Sequence, residues 1–109
     1  MADAVDGRVE RVRRAGLTLA EILKQYEFSQ WEAWVRRDVS RIVDRDYQGL
    51  VSLLSAFGGT GSLSDVVVHP MNGHDIEADD IDRVNAELAE VRGDLYIAAT
   101  DLKRLLDRT

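Results

Sequence analysis

The chain has 109 residues, of which 45% are hydrophobic, and this length suits a single domain with one modest core. It contains no cysteine, which excludes a disulfide framework and a thiolate metal site and suits a reducing compartment such as the cytoplasm. The formal net charge of −6 at pH 7 opposes the phosphate attraction that dominates nucleic-acid binding, so we expect a basic protein partner and no nucleic acid.

Charged residues recur along the N-terminal stretch MADAVDGRVERVRRAGLTLAEIL, whose longest uncharged run is the six residues from Ala15 to Ala20. A signal peptide or a membrane-spanning helix requires an uninterrupted apolar stretch. We therefore expect neither export nor membrane insertion, and we expect a cytoplasmic location.

An apolar stripe with alternating steps of four and three residues predicts a first helix. Its members are Val5, Val9, Val12, Gly16, Leu19, Leu23 and Tyr26. A glycine inside a helix costs about 1 kcal/mol relative to alanine. We expect Gly16 to permit a close helix contact; the alternative is a break between a short arm and the domain. Residues 1–6 are a candidate mobile arm.

A second apolar face predicts a second helix, formed by Trp31, Trp34, Val35, Val39, Ile42 and Val43. Ser29 and Glu32 have the spacing of a capping box, which indicates where this helix begins. Aromatic residues that fall on or near the apolar stripes are expected in the core or an interface rather than in a stacking platform. They are Tyr26, Trp31, Trp34 and Tyr47.

A third, shorter helix is predicted over Tyr47 to Phe57, with Asp46 as its N-cap. Its apolar residues lie on more than one side, so we expect it to be buried in the centre. They are Leu50, Val51, Leu53, Leu54 and Phe57.

The stretch AFGGTGSLSD, from Ala56 to Asp65, follows this helix and has two interpretations. In the first it is a structural corner, in which Gly58 or Gly59 ends the helix with a left-handed backbone and Ser62, with Asp65, caps the next segment. In the second, exposed amides of the loop bind a phosphate or carboxylate. Those amides belong to Gly59, Thr60, Gly61 and Ser62. The stretch lacks the lysine and the preceding strand of a P-loop, which favours the corner.

The stretch VVVHP favours extended backbone, so we expect Val66 to His69 to be an extended connection, with a small hairpin as the alternative. MNGHD then predicts a turn around Asn72 and Gly73. His69, His74, Asp75 and Asp65 contain metal-ligand side chains, but this flexible spacing lacks the helical register of strong zinc motifs. We therefore predict no metal and no cofactor.

Catalytic residues are not evident either, because the chain has no cysteine and no serine set in a nucleophile elbow. Both histidines occur in one loop. The sequence therefore predicts a protein that is not an enzyme.

The last helix is predicted from Asp79 to Asp107 by a stripe of strict three-four spacing. Its members are Ile81, Val84, Leu88, Val91, Leu95, Ala98, Leu102 and Leu105. This helix shares the heptad period of the first and is expected to pair with it antiparallel. The predicted fold is all-α, a small antiparallel bundle of about four helices in one domain, 1–109, with a glycine-rich corner and a short extended segment. The open alternative is a homodimer, in which the same stripes pack against each other between two chains.

Negative charge concentrates between Asp75 and Asp94, where the sequence has eight acidic residues and two basic ones, Arg83 and Arg92. Acids at the start of a helix are favoured by its macrodipole, which is one explanation. The other is an acidic patch that steers a basic partner. On that hypothesis the partner-binding residues are Gly59, Thr60, Gly61, Ser62, Asp65, Asp75, Asp79, Asp80 and Asp82.

Several motifs together resemble an uncharacterised family of small bacterial proteins. They are Trp31, Trp34, Asp46-Tyr47-x-Gly49, LLSAFGGTGSLSDVVV and VNAELAEVRGDLYIAATDL. In that family a Leu-Phe-Gly-Gly-Met-Gly-Ser-Leu/Phe-Asn-Asp-Leu stretch follows an Asp-x-x-Gly turn. The resemblance covers Trp31 to Leu105. This chain matches the stretch at Gly58, Gly59, Gly61, Ser62 and Asp65 and departs from it at Ala56, Thr60 and Ser64.

The family has no assigned activity, and the resemblance implies an immunity or accessory protein of the kind found beside secreted toxins. We therefore expect a non-enzymatic, cytoplasmic protein that neutralises a protein partner through its acidic surface and the glycine-rich corner. The alternative is a small-ligand or anion-binding regulatory domain that uses the corner's amides.

Overall fold

The computed structural model describes residues 2–58 and 61–108, and its helices are α1 (Ala2–Gln25), α2 (Ser29–Val43), α3 (Tyr47–Ser55) and α4 (Ile81–Asp107). Three single 3₁₀ turns lie between α3 and α4, at Leu63–Asp65, Pro70–Asn72 and Ala78–Asp80. Within the described ranges there is no β-strand. The predicted all-α bundle is therefore confirmed.

The two long helices pair antiparallel along their apolar stripes, as predicted. Arg8, near the start of α1, forms an ion pair with Asp101, near the end of α4, at 2.9 Å between Nε and Oδ2. The stripe residues at this contact are fully buried: Val12, Leu19, Leu23, Leu88, Leu95 and Leu102. Because both stripes are covered within one chain, neither presents an apolar surface to a second copy.

Two glycines set how closely the helices approach one another. A Cβ on Gly16 would collide with Cγ2 of Val39, so α2 crosses α1 at this point and α1 continues through it without a break. A Cβ on Gly49 would lie 2.7 Å from the Cβ of Arg41, which places the start of α3 equally close to α2. The expected close contact at Gly16 is therefore confirmed.

The N-terminal stretch proposed as an arm lies at the start of α1, apart from Met1, which falls outside the described residues. Asp6 accepts a hydrogen bond from Nη2 of Arg45 at 2.6 Å. Arg45 itself has a left-handed backbone, with φ of 66°. It ends the turn after α2, where the amides of Arg45 and Asp46 bond back to carbonyls of α2.

The predicted capping box at the start of α2 does not form. Phe28 is the N-cap, Ser29 is already helical, and no side chain caps this end. The carboxylate of Glu32 instead accepts from Nε of Arg36, one turn further along, at 2.8 Å. A charge-assisted bond to a guanidinium is stronger than a bond to an amide, which explains why Glu32 does not reach back.

The apolar face of α2 also differs from the prediction at one position. Val43 is 39% exposed, whereas the carboxylate of Asp38 is completely buried. Oδ1 of Asp38 lies 3.2 Å from Nε of Arg37 and 3.8 Å from Nη1 of Arg41, both of which are half-exposed. Its Oδ2 has no hydrogen-bond partner among the described residues. The close approach of α3 at Gly49 excludes solvent from this carboxylate.

Asp46 caps α3 as predicted, since its Oδ1 accepts from the amide of Gln48 at 3.0 Å. The helix ends at Ser55, two residues before the predicted end. Leu50 and Leu53 are buried, but Val51 is 42% exposed. The expectation that α3 is buried in the centre is therefore wrong, because α3 exposes one side to solvent at the edge of the bundle.

The segment 66–69 is extended, as predicted, and runs back along the first half of α4. Val66 and Val68 are buried, while Val67 points outward. Asn85 of α4 holds Val68 through two hydrogen bonds of 2.8 Å, one to its amide and one to its carbonyl. The predicted turn follows, with Gly73 in the left-handed region at φ of 85°. The small hairpin that was the alternative would need a second strand to bond to Val68. The side chain of Asn85 makes those hydrogen bonds instead.

Replacing Leu88 by aspartate places a carboxylate in the buried contact between α1 and α4, where Leu88 is 0% exposed. We expect Leu88→Asp to lower the free energy of unfolding by about 4 kcal/mol or more, because the charge loses its hydration without gaining a partner. Ala89→Asp at the neighbouring exposed position is the control and should cost no more than about 1 kcal/mol. Thermal melts followed by circular dichroism measure both; indistinguishable melts for Leu88→Asp and the parent would contradict the assigned contact.

The buried carboxylate of Asp38 gives a second prediction. Removing both cations, in Arg37→Gln/Arg41→Gln, should lower the free energy of unfolding by about 1–3 kcal/mol, because it leaves a buried charge without an ionic partner. The same pair of substitutions should cost less in an Asp38→Asn background. Urea unfolding of the four proteins measures this coupling, and equal costs in both backgrounds would show that the arginines do not compensate the buried carboxylate.

Candidate functional site

The glycine-rich corner folds back onto the end of α3. The amide of Leu63 donates to the carbonyl of Ala56 at 2.8 Å, and the hydroxyl of Ser64 donates to the carbonyl of Phe57 at 2.9 Å. Leu63 is completely buried. These bonds tie both sides of the corner together, while Gly59 and Thr60 lie outside the described residues.

The left-handed glycine of the corner is Gly61, with φ of 76°, and not Gly58. The chain leaves α3 through Ala56 in a right-handed conformation, and the amide of Gly58 still bonds to the carbonyl of Ser55. Among the described residues of the corner, the backbone has a positive φ where the chain enters Ser62. Of the two glycines expected to end the helix with a left-handed backbone, Gly58 does not adopt it, and Gly59 lies outside the described residues.

The side chains of Ser62 and Asp65 both accept hydrogen bonds from backbone amides, but these amides differ from those of the predicted capping box. The hydroxyl of Ser62 accepts from the amide of Ser64 at 3.3 Å, and Oδ2 of Asp65 accepts from the amide of Gly61 at 2.8 Å. Asp65 thereby occupies an amide that the anion-binding alternative needs, and its charge repels an incoming anion. This geometry favours a structural corner whose amides are capped by its own side chains, rather than a binding site for phosphate or carboxylate.

Arg92 attaches the corner to α4. Its Nη1 donates to the carbonyls of Leu63 and Val66, at 3.2 and 2.8 Å. Burial lowers the pKa of the Arg92 guanidinium, and the nearby charge of Asp65 partly opposes this shift. The contact was not predicted, because it depends on two carbonyls far away in the sequence.

A groove of about 380 Å³ opens beside this contact. It is lined by Phe57, Ser64, Ala89, Arg92, Gly93 and Tyr96. The rings of Phe57 and Tyr96 meet edge to face, with centroids 5.3 Å apart. Tyr96 is 46% exposed and its neighbour Ile97 is 56% exposed, so the groove adjoins an apolar surface that sequence periodicity alone had not indicated.

The carboxylates from Asp75 to Asp94 form the largest uncompensated charge among the described residues. Only Asp80 has an ion pair, with Arg83 at 3.3 Å. In the described part of the chain, seven others have neither an ion pair nor a side-chain hydrogen bond. They are Asp75, Glu77, Asp79, Asp82, Glu87, Glu90 and Asp94, which we call the unpaired acidic strip.

Most acids in the body of the bundle are compensated, in contrast to this strip. Glu10 accepts from Arg13, and Glu21 from Arg36; these hydrogen bonds lower the pKa of each carboxyl. Ion pairs also hold Asp6, Glu32, Asp38, Asp101 and Asp107. The uneven charge of the sequence therefore corresponds to an uneven pairing in the structure.

The predicted site residues do not meet at one point. Asp82 and Arg92 are separated by roughly 15 Å along α4, at 1.5 Å per residue, so the corner lies well away from the acids at the start of the helix. Ser62 is buried, whereas Gly61, Asp65, Asp75, Asp79 and Asp82 are exposed and Asp80 is half-exposed. Of the later acids, Glu90 lies on the outward face of α4, whereas Glu87 and Asp94 line grooves towards α1, on the side away from Arg92 and the corner. The acids therefore form a strip along the outside of α4 that does not reach the corner.

The two histidines bond within their own turn. The amide of His69 lies 2.9 Å from Nδ1 of His74, and the amide of Met71 donates to Nδ1 of His69 at 3.0 Å. The ring of His74 also packs on Phe28, with centroids 4.7 Å apart. Among the described residues, no three histidine or acidic side chains come together as metal ligands.

A cavity of about 230 Å³ lies at the end of the bundle where α1 begins and α4 ends. Its wall is apolar, with Val5, Val9, Ile42, Leu50, Leu102 and Leu106. At its rim, Asp107 accepts from the hydroxyl of Tyr47 at 2.6 Å and from Lys103 at 2.8 Å, and the bond from Lys103 lowers the pKa of Asp107. These polar groups are engaged with one another.

The other predicted core or interface aromatics lie at the edge of the core. Trp31 and Trp34 stack with ring centroids 5.2 Å apart. Nε1 of Trp34 donates to the carbonyl of Ser52 at 3.3 Å, and Arg37 lies over its ring. Their position between α2 and α3 makes them packing residues.

A family model matches part of the chain. The family model described as Domain of unknown function (DUF6966) matches residues 24–77. The matched stretch extends from the end of α1 through α2, α3, the corner and the extended segment, and it ends before α4. No helix in the described ranges combines the length and the apolar character that crossing a membrane requires. No curated protein and no solved structure matches the chain, which is thus similar to an uncharacterised family over just under half of its length.

Proposed function

We propose that this protein is a non-enzymatic binding module that neutralises a basic protein partner, in the manner of bacterial immunity proteins. The observation that carries the proposal is the unpaired acidic strip along α4 and the segment before it. Seven carboxylates there lack an ionic partner in the described part of the chain, whereas most acids of the bundle body have one. A surface of one charge steers an oppositely charged partner and accelerates its association.

The helix dipole accounts for only part of this charge. Asp82 lies in the first turn of α4, where the dipole favours an anion. Glu87, Glu90 and Asp94 lie beyond the first turn, where the dipole no longer contributes. Repulsion between these carboxylates opposes folding, so their presence favours a role in binding.

The groove beside Arg92 supplies the apolar part of such a contact. Tyrosine and arginine are the residue types that dominate the energy of protein interfaces, and Phe57 and Tyr96 form one exposed aromatic pair there. The partner surface would thus combine lysines or arginines opposite the acidic strip with an apolar side chain in the groove. Asp65 follows Ser64, which lines the groove, and accepts from the amide of Gly61.

Association with the partner tests the role of the strip. We expect Asp79→Lys/Asp82→Lys to slow association by about tenfold at low salt and to weaken its salt dependence, because steering depends on the sign of the surface charge. Affinity capture from the native host identifies the partner, and surface plasmon resonance at several salt concentrations measures the association rate.

The matched control is Glu27→Lys/Asp44→Lys, which makes the same change in net charge at exposed acids outside the strip. Neither Glu27 nor Asp44 has a side-chain partner among the described residues. The control should associate almost as fast as the parent. Equal slowing in both variants would attribute the effect to net charge alone and contradict the proposed surface.

The glycine corner gives a separate test of structural against binding roles. Gly61→Ala forces a Cβ onto a backbone with φ of 76° and should lower the free energy of unfolding by about 1 kcal/mol. Gly58→Ala, whose Cβ would meet only the carbonyl of Ser55 at 3.8 Å, is the matched control and should melt like the parent. Ser62→Ala should cost about 0.5–2 kcal/mol.

Thermal melts and partner affinity, measured well below the melting temperature, are compared for these variants. A structural corner predicts lower melting temperatures with unchanged affinity. A Gly61→Ala variant that melts normally but no longer binds would instead show that the corner itself holds the ligand.

A further inference from the structure

The face of α4 that points away from the core carries a second stripe with three-four spacing. It comprises Ala86, Ala89, Glu90, Gly93, Ile97, Thr100 and Arg104, and all but Thr100 are exposed. At its centre a large apolar side chain, Ile97, is 56% exposed one helical turn from Gly93. A Cβ at Gly93 would meet nothing within 4 Å, so this part of the helix surface is open.

Charge changes sign along this face. Its first half carries Glu87 and Glu90, and its second half carries Arg104 and Arg108. None of these four side chains has an ion pair among the described residues. The unpaired charge on the outer side of α4 is therefore negative in its first half, where Asp94 adds to it at the edge of the face, and positive towards its end, with Gly93 and Ile97 between the two.

We propose that a second copy of the chain docks antiparallel on this face and forms a twofold-symmetric dimer through α4. In an antiparallel pair the acidic half of each helix faces the basic half of the other. A parallel pair would place like charges opposite each other. A twofold contact also closes on itself, so assembly stops at the dimer.

The register follows from equal spacings along the helix. With the symmetry axis at the level of Leu95, Ile97 of one copy lies opposite Gly93 of the other. Ala86 precedes Gly93 by seven residues and Arg104 follows Ile97 by seven, about 10 Å in each case. Arg104 therefore lies opposite Ala86 of the second copy, next to its Glu87 and one helical turn from its Glu90.

Side-chain size agrees with this register. Glycine opposite isoleucine and alanine opposite arginine allow the two helix axes to approach to about 8–10 Å, the usual distance between packed helices. The contact leaves the acids that precede α4, Asp75, Glu77 and Asp79, outside the interface. The dimer requires no other protein, but it covers Glu90 of the unpaired acidic strip and Gly93 of the groove beside Arg92, so the dimer and the proposed partner would compete for this face of α4.

Sedimentation equilibrium of the full chain, at several protein and salt concentrations, tests the proposal. We expect a reversible dimer in the parent. Gly93→Leu, which fills the space opposite Ile97, should raise the dissociation constant by at least about tenfold. Val51→Glu replaces an exposed apolar residue on α3 and is the control, which should dimerise like the parent. Circular dichroism confirms that each variant is folded.

A charge exchange identifies the register. Arg104→Glu alone and Glu87→Arg/Glu90→Arg alone should each weaken self-association, because each brings like charges together. An equimolar mixture of these two variants should form a heterodimer, since every facing pair is then of opposite sign. A parent that stays monomeric up to about 1 mM, a Gly93→Leu variant that dimerises normally, or variants that do not associate with each other would overturn the proposal.

Discussion

The antiparallel contact between α1 and α4 is the constraint on which the other features of the molecule depend. Both helices bury a leucine- and valine-rich stripe in it, and α2 packs on the same pair at Gly16. The extended segment and the glycine corner are held on α4 by Asn85 and Arg92. Because this contact fixes which side of α4 is buried, it also determines which of its side chains form the outer surface.

The distribution of ion pairs separates the part of the chain that maintains the fold from the part that we assign to binding. Exposed ion pairs contribute little stability individually, but they cancel the field of the acids in α1 and α2. The acids of the unpaired acidic strip form no ion pair in the described ranges, so their negative charge is cancelled less than that of the acids in α1 and α2. A basic partner would therefore approach a defined surface.

Features that depend on local periodicity or capping were predictable from the sequence: the two long stripes, the Asp46 cap and the extended segment. Features that depend on contacts distant in sequence were not. Asp38 is buried because α3 covers it, although its neighbours Arg37 and Arg41 make it look like a surface residue. Arg92 could not be recognised as the anchor of the corner, because its acceptors are backbone carbonyls.

Chemical cross-linking tests the antiparallel contact most directly, since the chain has no cysteine of its own. Arg8→Cys/Asp101→Cys introduces two thiols at an ion pair of 2.9 Å. Arg8→Cys/Asp82→Cys is the control, in which the second thiol lies roughly 28 Å from position 101 along α4. With a short bis-maleimide at low protein concentration, mass spectrometry should find a cross-link within one chain in the first variant and none in the control. Cross-links formed mainly between chains would show that the two stripes close between copies and would contradict this structure.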